Sequence, residues 1–320
     1  MLEIVAGDIG GTHARFARAE LRAGSRPRLG SPRTYNSADF PDLPSTWRRF
    51  VAEEGIAPAA ASLAVAAPID GDLLRFTNSP WMIEASKLSQ ALGVDQVLLL
   101  NDFGAIGHAI AWLAPDEFLH IAGPQTIPDE GVTTIIGPGT GLGVAILLHR
   151  NGRYEVIETE GGHFDFAPLD SVEEQMLRHL RARFLRVSVE RLVSGPGLRN
   201  LYETLGAIEQ LPVQPWDDAN LWRAAIEGSD PLARSALDRF VLTFGSAAGD
   251  LALAHGAKQV VIVGGLSGRI REWLQRPSFH ARFCAKGRYA ARMAQFPIRL
   301  ALHEQPGLLG AAAAYQSQKI

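Results

Sequence analysis

The chain has 320 residues, enough for about two domains of ordinary size. Its hydrophobic fraction of 47% and charged fraction of 20% indicate a globular protein with a sizeable core, and its net charge of −3 argues against nucleic-acid binding. The single cysteine excludes a disulfide framework and a Cys-x-x-Cys metal site. No signal peptide and no apolar run long enough to span a membrane is visible, so we expect a cytoplasmic enzyme.

Short apolar, β-branched runs beside Gly or Pro predict strands. In chain order these are Leu2–Val5, Ser62–Ala67, Val97–Leu100, Thr133–Ile136, Val144–Leu148, Val260–Val263 and Ile298–Leu302. Apolar residues at three- and four-residue spacing predict helices between them. The helices are Ile83–Leu92, Asp102–Leu113, Glu174–Phe184, Leu237–Ala252 and the Ala-rich Gly307–Gln318. This alternation predicts α/β architecture, with a domain boundary near residues 113–115.

Two segments share the pattern of an apolar strand, a Gly-rich turn with Thr, and a second apolar strand. Residues 4–16 read IVAGDIGGTHARF, and residues 135–146 read IIGPGTGLGVAI. They suggest a duplicated unit that faces one ligand. The alternative is a pair of ordinary β-hairpins, because Gly marks hairpin turns widely.

The glycines of both turns suit a phosphate ligand. Consecutive glycines at Gly10-Gly11 let backbone N–H groups approach an anion, and Thr12 adds a hydroxyl donor. Asp8 can hold a hydrated Mg²⁺. The second turn places Thr140 within a run of alternating glycines, which are Gly137, Gly139, Gly141 and Gly143.

Further polar or Gly-rich groups follow predicted strands. Gly264-Gly265 follows Val260–Val263, where a flat ring such as adenine could rest on the backbone. Asp102 follows a buried strand, where open α/β sheets bind ligands, although capping of the next helix would also explain it.

Glu160 and His163 flank a Gly-Gly turn and suit the vicinal hydroxyls of a polar ligand. Glu190 follows the predicted helix Glu174–Phe184. Taken alone, Glu190 fits a surface charge better than a part of a site.

Six blocks of this sequence resemble, in order, those of bacterial glucokinases of the proteobacterial type. They are GDIGGTHARFA, LNDFGAIGHAI, GPGTGLGVA, EGGHFDFAP, SVERLVSGPGLRNLY and QPGLLGAAA. That family lies in the superfamily of sugar kinases, heat-shock chaperones and actin. The resemblance runs nearly end to end.

The resemblance implies a role for each candidate residue. Asp102 would be the base that takes the proton from the 6-hydroxyl of glucose. The other sugar contacts would be Asn78, Asn101, Gly141, Glu160, His163 and Glu190. The ATP contacts would be Gly7, Asp8, Ile9, Gly10, Gly11, Thr12, Gly137, Gly139, Thr140, Gly264 and Gly265.

The sequence departs from the family pattern at several positions. His13 stands where Asn is common and Gly104 where Thr occurs, and residues 265–269 lack a proline often seen after the adenosine glycines. The cysteine-rich zinc signature of the related ROK kinases is missing, so we expect no structural zinc.

The resemblance implies an α/β, two-lobed actin-like ATPase fold of the duplicated ribonuclease H-like type, with the active site in the interlobe cleft. Residues 1–112 and 304–320 would form the small lobe, and residues 113–303 the large one.

The reaction would convert ATP and D-glucose to ADP and glucose 6-phosphate, with Mg²⁺ as cofactor and a homodimer as the assembly. The alternatives are a kinase for another hexose, a sugar-responsive regulator on the same fold, and an actin- or chaperone-like ATPase. The last would leave the EGGH block unexplained.

Overall fold

The computed structural model describes residues 1–67, 69–76 and 80–319. The strands are β1 (Leu2–Ile9), β2 (His13–Leu21), β3 (Arg28–Leu29), β4 (Arg33–Asn36), β5 (Ala60–Val65), β6 (Leu73–Arg75), β7 (Met82–Glu84), β8 (Gln96–Asn101), β9 (Phe118–Ala122), β10 (Gly131–Pro138), β11 (Leu142–Arg150), β12 (Arg153–Thr159), β13 (Gln259–Ile262) and β14 (Ile298–Ala301). The helices are α1 (Leu43–Glu54), α2 (Leu88–Leu92), α3 (Asp102–Ile110), α4 (Ser171–Phe184), α5 (Gly197–Glu209), α6 (Asp218–Glu227), α7 (Pro231–Ala254), α8 (Gly265–Arg269), α9 (Arg271–Leu274), α10 (Pro277–Cys284), α11 (Ala290–Met293) and α12 (Pro306–Lys319). In this described part, none of the helices has the length and apolarity needed to cross a bilayer.

The chain divides into two compact units. The first consists of Met1–Ala114, Val156–Glu158 and His303–Ile320, and the second of Pro115–Glu155 and Thr159–Leu302. Nothing in the sequence pattern indicated that Val156–Glu158 would group with the first unit.

The sheet of the first unit has the order β3-β2-β1-β5-β8, with β4 also paired to β2. β1 and β2 form an antiparallel hairpin, while β5 and β8 run parallel to β1. Ile9 pairs with Val65, and Val65 pairs with Asn101, so the three parallel strands end at one edge. The residues around these strand ends therefore lie close together.

The sheet of the second unit repeats this arrangement, in the order β12-β11-β10-β13-β14-β9. β10 and β11 form the antiparallel hairpin, and β13 and β14 run parallel to β10. The similar segments at residues 4–16 and 135–146 therefore occupy equivalent hairpins in two similar sheets. This equivalence favours a duplicated unit over a pair of unrelated hairpins.

The C-terminal helix α12 packs in the first unit against α3 and the sheet. Its alanine-rich surface is buried from Gly307 to Gln316, as expected for a helix that is apolar on every side. The Ser62 hydroxyl donates to the Ala311 carbonyl at 2.6 Å. A Cβ at Gly310 would overlap the backbone of Ala105 in α3, so glycine sets how closely the two helices approach.

Two glycines inside α7 have the same kind of explanation. Gly245 and Gly249 lie inside this helix although glycine has a low helix propensity. A Cβ at Gly245 would lie 2.6 Å from the Phe279 carbonyl oxygen of α10, and one at Gly249 would overlap the Phe283 carbonyl. These glycines let α7 and α10 touch along their backbones.

The predicted helix Ile83–Leu92 is wrong in its first half. Met82–Glu84 is a strand paired with Leu73–Arg75, and only Leu88–Leu92 is α-helical. Asp72 accounts for the difference, because its carbonyl and carboxylate take the N–H groups of Ala85 and Ser86 at 2.8 and 2.7 Å. Those bonds hold the chain extended up to residue 84.

The crossing of α3 and α12 predicts a stability defect in Gly310→Ala. The added methyl overlaps the α3 backbone, and overpacking of this kind costs about 1–3 kcal/mol. We expect a lower midpoint of thermal unfolding than in the control Gly30→Ala, whose new Cβ would make only ordinary contacts of 3.7 Å with Arg18. Equal midpoints for the two variants would contradict the close helix packing.

Candidate functional site

The edge where β1, β5 and β8 end carries acidic side chains. Asp8 is the next-to-last residue of β1, and Asp102 directly follows β8 as the first residue of α3. The strand register described above puts both at the same edge of the sheet. Open α/β sheets bind ligands at the carboxyl ends of their strands, so this edge is the natural site in the first unit.

The residue that caps α3 is Asn101, not Asp102. The Asn101 Oδ1 accepts the Phe103 N–H at 2.8 Å, and its Nδ2 donates to the Ala67 carbonyl at 3.4 Å. Asp102 lies one position later and accepts the same N–H on its Oδ1 at 2.9 Å. Since Asn101 already supplies the cap, the capping interpretation does not account for the carboxylate at position 102.

The carboxylate of Asp102 is poised to change charge near neutral pH. Burial raises its pKa to about 6, although the hydrogen bond from the Phe103 N–H favours the ionised form. The negative charges of Asp8 and Glu158 add to the rise, because they oppose a further negative charge nearby. A carboxylate with such a pKa is ionised at pH 7 and still basic enough to accept a proton.

Glu158 on β12 is a component of this edge that sequence reasoning missed. Its Oε1 accepts the Asn101 backbone N–H at 3.2 Å. A Cβ at Gly104 would lie 2.7 Å from the Glu158 Cδ, so the glycine that departs from the family pattern makes room for this carboxylate. Two features of the sequence could have pointed to Glu158. One is the glycine at position 104, where the family has Thr, and the other is the acidic residue two positions before Glu160.

Asp8 is fixed by two neighbours that sequence reasoning did not identify. Arg15 on β2 donates to the Asp8 Oδ2 at 3.3 Å. A Cβ at Gly307, in the first turn of α12, would lie 2.6 Å from the Asp8 Cγ. Burial raises the pKa of Asp8, and the Arg15 charge and hydrogen bond oppose that rise.

Glycine is found at different positions of the first hairpin for different structural reasons. Gly7 lies inside β1, where a Cβ would come 2.5 Å from Leu63 Cδ2, so packing requires it. The Ile9 side chain is fully buried, and only its backbone could reach a ligand. Gly10 donates to the His13 carbonyl at 2.9 Å and a Cβ there would meet only that oxygen at 3.5 Å. Thr12 is exposed beside it.

The second hairpin is built in a comparable way. Gly137 is a packing glycine, because a Cβ would lie 2.6 Å from Val263. Gly139 and Thr140 are exposed at the turn. The Gly139 N–H donates to the Gly141 carbonyl at 2.8 Å, and the Gly139 carbonyl accepts the Gly195 N–H at 2.7 Å. This part of the hairpin turn thus has a defined conformation.

Gly264 and Gly265 lie beside this hairpin. They follow β13, which pairs with β10, and both are exposed. Gly264 has a φ of 94°, which favours glycine, and a Cβ there would approach the Pro138 carbonyl at 3.4 Å. The second Gly-rich turn and the glycines expected to contact adenosine are therefore neighbours in the second unit.

Three polar side chains of the second unit converge. The His163 Nε2 lies 3.8 Å from Glu160 Oε2, and its Nδ1 lies 3.9 Å from Glu190 Oε1. The Glu190 Oε2 accepts the Leu142 N–H at 2.9 Å, and a Cβ at Gly141 would overlap that oxygen. Glu190 is therefore part of this polar cluster and not an isolated surface charge.

Most of the predicted residues thus fall into three groups, one in the first unit and two in the second. The first unit brings Asp8, Gly10, Asn101 and Asp102 to one sheet edge, together with Gly11 and Thr12 of the adjoining turn. The second unit brings together Gly141, Glu160, His163 and Glu190, and separately Gly139, Thr140, Gly264 and Gly265. Asn78 lies outside the described residues.

The Asp102 carboxyl should titrate near pH 6 in the ligand-free protein. We expect ¹³C NMR of carboxyl-labelled protein to show this midpoint, and Glu158→Gln to lower it, because a neighbouring negative charge is lost. Glu155→Gln, an exposed position on the same strand, should leave it unchanged. A midpoint at about pH 4, the ordinary pKa of Asp, would contradict the effect of burial and neighbouring acids on Asp102.

Comparison with known proteins gives consistent matches over the whole chain. The family model described as glucokinase matches residues 5–318. The glucokinase of Zymomonas mobilis is 51% identical over 319 residues, covering 99% of this chain and 98% of that protein.

Solved structures agree. A glucokinase from an Antarctic psychrotroph superposes with a TM-score of 0.87 at 32% identity, covering 99% of both chains. A ROK family glucokinase from Streptomyces griseus, solved in complex with glucose and AMPPNP, shares the fold at a TM-score of 0.64 and 21% identity, covering 98% of both chains. The fold is thus the two-domain actin-like ATPase fold implied by the sequence. Because the family model matches nearly the whole chain and a relative is 51% identical over almost all of it, the chain belongs to the glucokinase family.

Proposed function

We propose that this chain transfers the γ-phosphoryl group of ATP to the 6-hydroxyl of D-glucose, giving glucose 6-phosphate and ADP. The observation that carries the proposal is Asp102: a half-buried carboxylate with a pKa of about 6, at the sheet edge, whose helix is already capped by Asn101. Membership of the glucokinase family supplies the sugar and the nucleotide.

Asp102 acts as the general base. Its ionised carboxylate accepts a hydrogen bond from the 6-hydroxyl and takes the proton as the oxygen attacks the γ-phosphorus. The bond from that phosphorus to the bridging oxygen of ADP breaks at the same time. Phosphoryl transfer depends mostly on positioning and charge stabilisation, so the base mainly orients the hydroxyl and removes its proton late in the reaction.

We assign the remaining sugar hydroxyls to side chains that can orient the sugar and distinguish it from other sugars. The cluster of Glu160, His163 and Glu190 offers carboxylate acceptors and an imidazole that can donate or accept. Asn101 retains hydrogen-bonding capacity beyond its cap. We assign further sugar contacts to Gly141 and to Asn78, the latter on sequence grounds alone.

The Gly-rich turns are assigned to ATP. Gly11 and Thr12 of one hairpin, and Thr140 of the other, would supply backbone or hydroxyl donors to the phosphates. The N–H groups of Gly10 and Gly139 already donate to the His13 and Gly141 carbonyls, so these two glycines would contribute by letting the backbone approach the phosphates closely. Gly264 and Gly265 would contact the adenosine. Gly7, Ile9 and Gly137 are constrained by packing and would contribute through backbone placement.

The residues at the first sheet edge fit Mg²⁺. In the described ranges no group of three or more His, Cys, Asp or Glu is arranged as a metal cage. Mg²⁺ does not need one, since it commonly keeps several waters and binds one or two carboxylates together with substrate phosphates. The half-buried Asp8 carboxylate would hold it through water. When bound, the ion would neutralise charge on the phosphates.

A coupled assay tests the proposal directly. Purified protein is given ATP and Mg²⁺ with D-glucose, with mannose, with fructose, or with no sugar, and ADP formation is recorded. We expect turnover that requires a sugar and is fastest with glucose. Turnover without sugar would favour an ATPase, a preference for another hexose would correct the substrate, and no turnover would reject the kinase.

Replacing Asp102 by Asn should abolish most turnover without unfolding the protein. The amide has nearly the same size and keeps the acceptor for the Phe103 N–H, but it cannot take a proton. We expect kcat to fall on the order of 10²-fold or more, with KM values for glucose and ATP close to normal. The exposed Asp39→Asn serves as control. A folded Asp102→Asn protein within a few-fold of normal turnover would refute the mechanism.

His163→Ala should act chiefly on the sugar. Removal of one partner leaves the hydroxyl and the neighbouring carboxylates incompletely paired, which costs about 1–3 kcal/mol. The glucose KM should rise by about 10-fold or more while the ATP KM stays nearly constant. The control His179→Ala removes an exposed histidine that bonds only within its own helix, to Gln175. An unchanged glucose KM in His163→Ala would contradict sugar binding by His163 and indicate that the Gly-Gly turn has only a structural role.

We also propose a homodimer and a cytoplasmic location, both on family resemblance. Size-exclusion chromatography with light scattering tests the first, and cell fractionation the second.

A further inference from the structure

Helix α4 ends in a turn that is unusual for its residue. Leu185 has φ 57° and ψ −67°, the rare and strained form of the three-residue turn. The Arg186 N–H closes the turn on the Phe184 carbonyl at 2.6 Å. Sparsely populated conformations of this kind cost about 1–3 kcal/mol. The Leu185 side chain is 89% exposed, so its own packing does not offset that strain.

The residues on either side hold the turn in place. The Phe184 ring lies under two guanidinium groups, those of Arg183 at 5.0 Å and Arg191 at 4.3 Å from its centroid. Val187 is buried in the core of the second unit. Leu185 and Arg186 thus have little freedom, and the direction in which Arg186 leaves the backbone is fixed.

Arg186 reaches from this turn to the loop that carries His163. Its Nη2 donates to the His163 carbonyl oxygen at 2.7 Å. Its Nε lies 2.7 Å from the Asp165 Oδ1. The planar guanidinium can serve both acceptors at once because its donors have a fixed geometry.

The same loop is paired with the chain that leads to Glu190. The Phe166 N–H donates to the Val187 carbonyl and the Val189 N–H to the Phe164 carbonyl, both at 2.9 Å. His163 and Glu190 lie one residue beyond this short pairing. Arg186 therefore braces the end of the ladder at which these two side chains emerge.

We propose that Arg186 is a positioning residue for the sugar site, holding the His163 backbone in the orientation that sugar binding needs, and that the strained turn at Leu185 aims it there. The inference rests on the proposed function, since it assigns the sugar to His163. Arg186 touches no reacting atom. Its loss should therefore affect sugar binding and leave the ATP interaction and the chemical step intact.

The expected effect is moderate. The ion pair with Asp165 is exposed on both sides, and such pairs contribute little to stability. The charge-assisted bond to the His163 carbonyl contributes more, because a hydrogen bond from an ionised donor is stronger than one between neutral groups.

The test compares Arg186→Met with Arg183→Met. Arg183 stacks on Phe184 and pairs with Glu203 at 2.9 Å, so its loss controls for a lost charge and a loosened turn without removing a bond to the His163 loop. For both variants the glucose KM, the ATP KM, kcat and the thermal midpoint are measured. We expect Arg186→Met to raise the glucose KM by about 5-fold over Arg183→Met, with kcat and the ATP KM within about twofold. Arg186→Lys should not fully restore the glucose KM, because an ammonium group lacks the two fixed donors.

Several results would overturn the inference. A glucose KM in Arg186→Met within about twofold of Arg183→Met would do so, as would parallel changes in kcat and both KM values, which indicate a general structural role. If Arg186→Met does not fold, Arg186→Lys serves instead: a raised glucose KM alone supports the brace and an unchanged one rejects it. Failure of the proposed function is distinct, because the wild-type protein would then show no glucose-dependent ADP formation.

Discussion

Burial of a single carboxylate, that of Asp102, is the constraint on which the proposed chemistry of this molecule depends. Transferring a charge from water into the protein is unfavourable, and the first unit offsets only part of that cost with one N–H from the start of α3. The acids at positions 8 and 158 add to the cost. The resulting pKa of about 6 gives a base that is ionised at neutral pH and still able to accept a proton.

The rest of the first unit keeps that carboxylate at the sheet edge. Strands β1, β5 and β8 end in register, so α3 begins where the acidic side chains meet. Helix α12 packs against α3 through the backbone contact at Gly310. Gly307 of the same helix leaves the space that the Asp8 carboxylate occupies. These two glycines of α12 therefore help to position Asp102 and Asp8, although neither glycine is itself a candidate ligand-binding residue.

Sequence alone was sufficient to predict the main strands of both sheets and the hairpin turns, and to propose most of the candidate residues, because those features are encoded locally. Glycine runs, strand periodicity and acids after apolar strands are visible without tertiary structure. Glu190 could not be assigned from its own surroundings, since its role depends on the Leu142 N–H, 48 residues away in the chain. Only the family resemblance pointed to it.

Other features require the folded structure. The helix predicted over Ile83–Leu92 failed because Asp72, distant from the helical pattern, bonds the backbone at residues 85 and 86. Glu158 and Arg186 were missed because each acts on a backbone group of another segment. The Gly104 departure was visible in the sequence, but its meaning depends on the position of Glu158.

The central claim is that the Asp102 carboxylate receives the proton of the glucose 6-hydroxyl. A crystal structure of the protein with bound glucose tests it most directly, through the distance from O6 to the nearer Asp102 carboxylate oxygen. We predict a hydrogen-bond distance of about 2.6–3.2 Å. An O6 atom beyond direct or single-water reach of Asp102, in a complex competent for turnover, would contradict it.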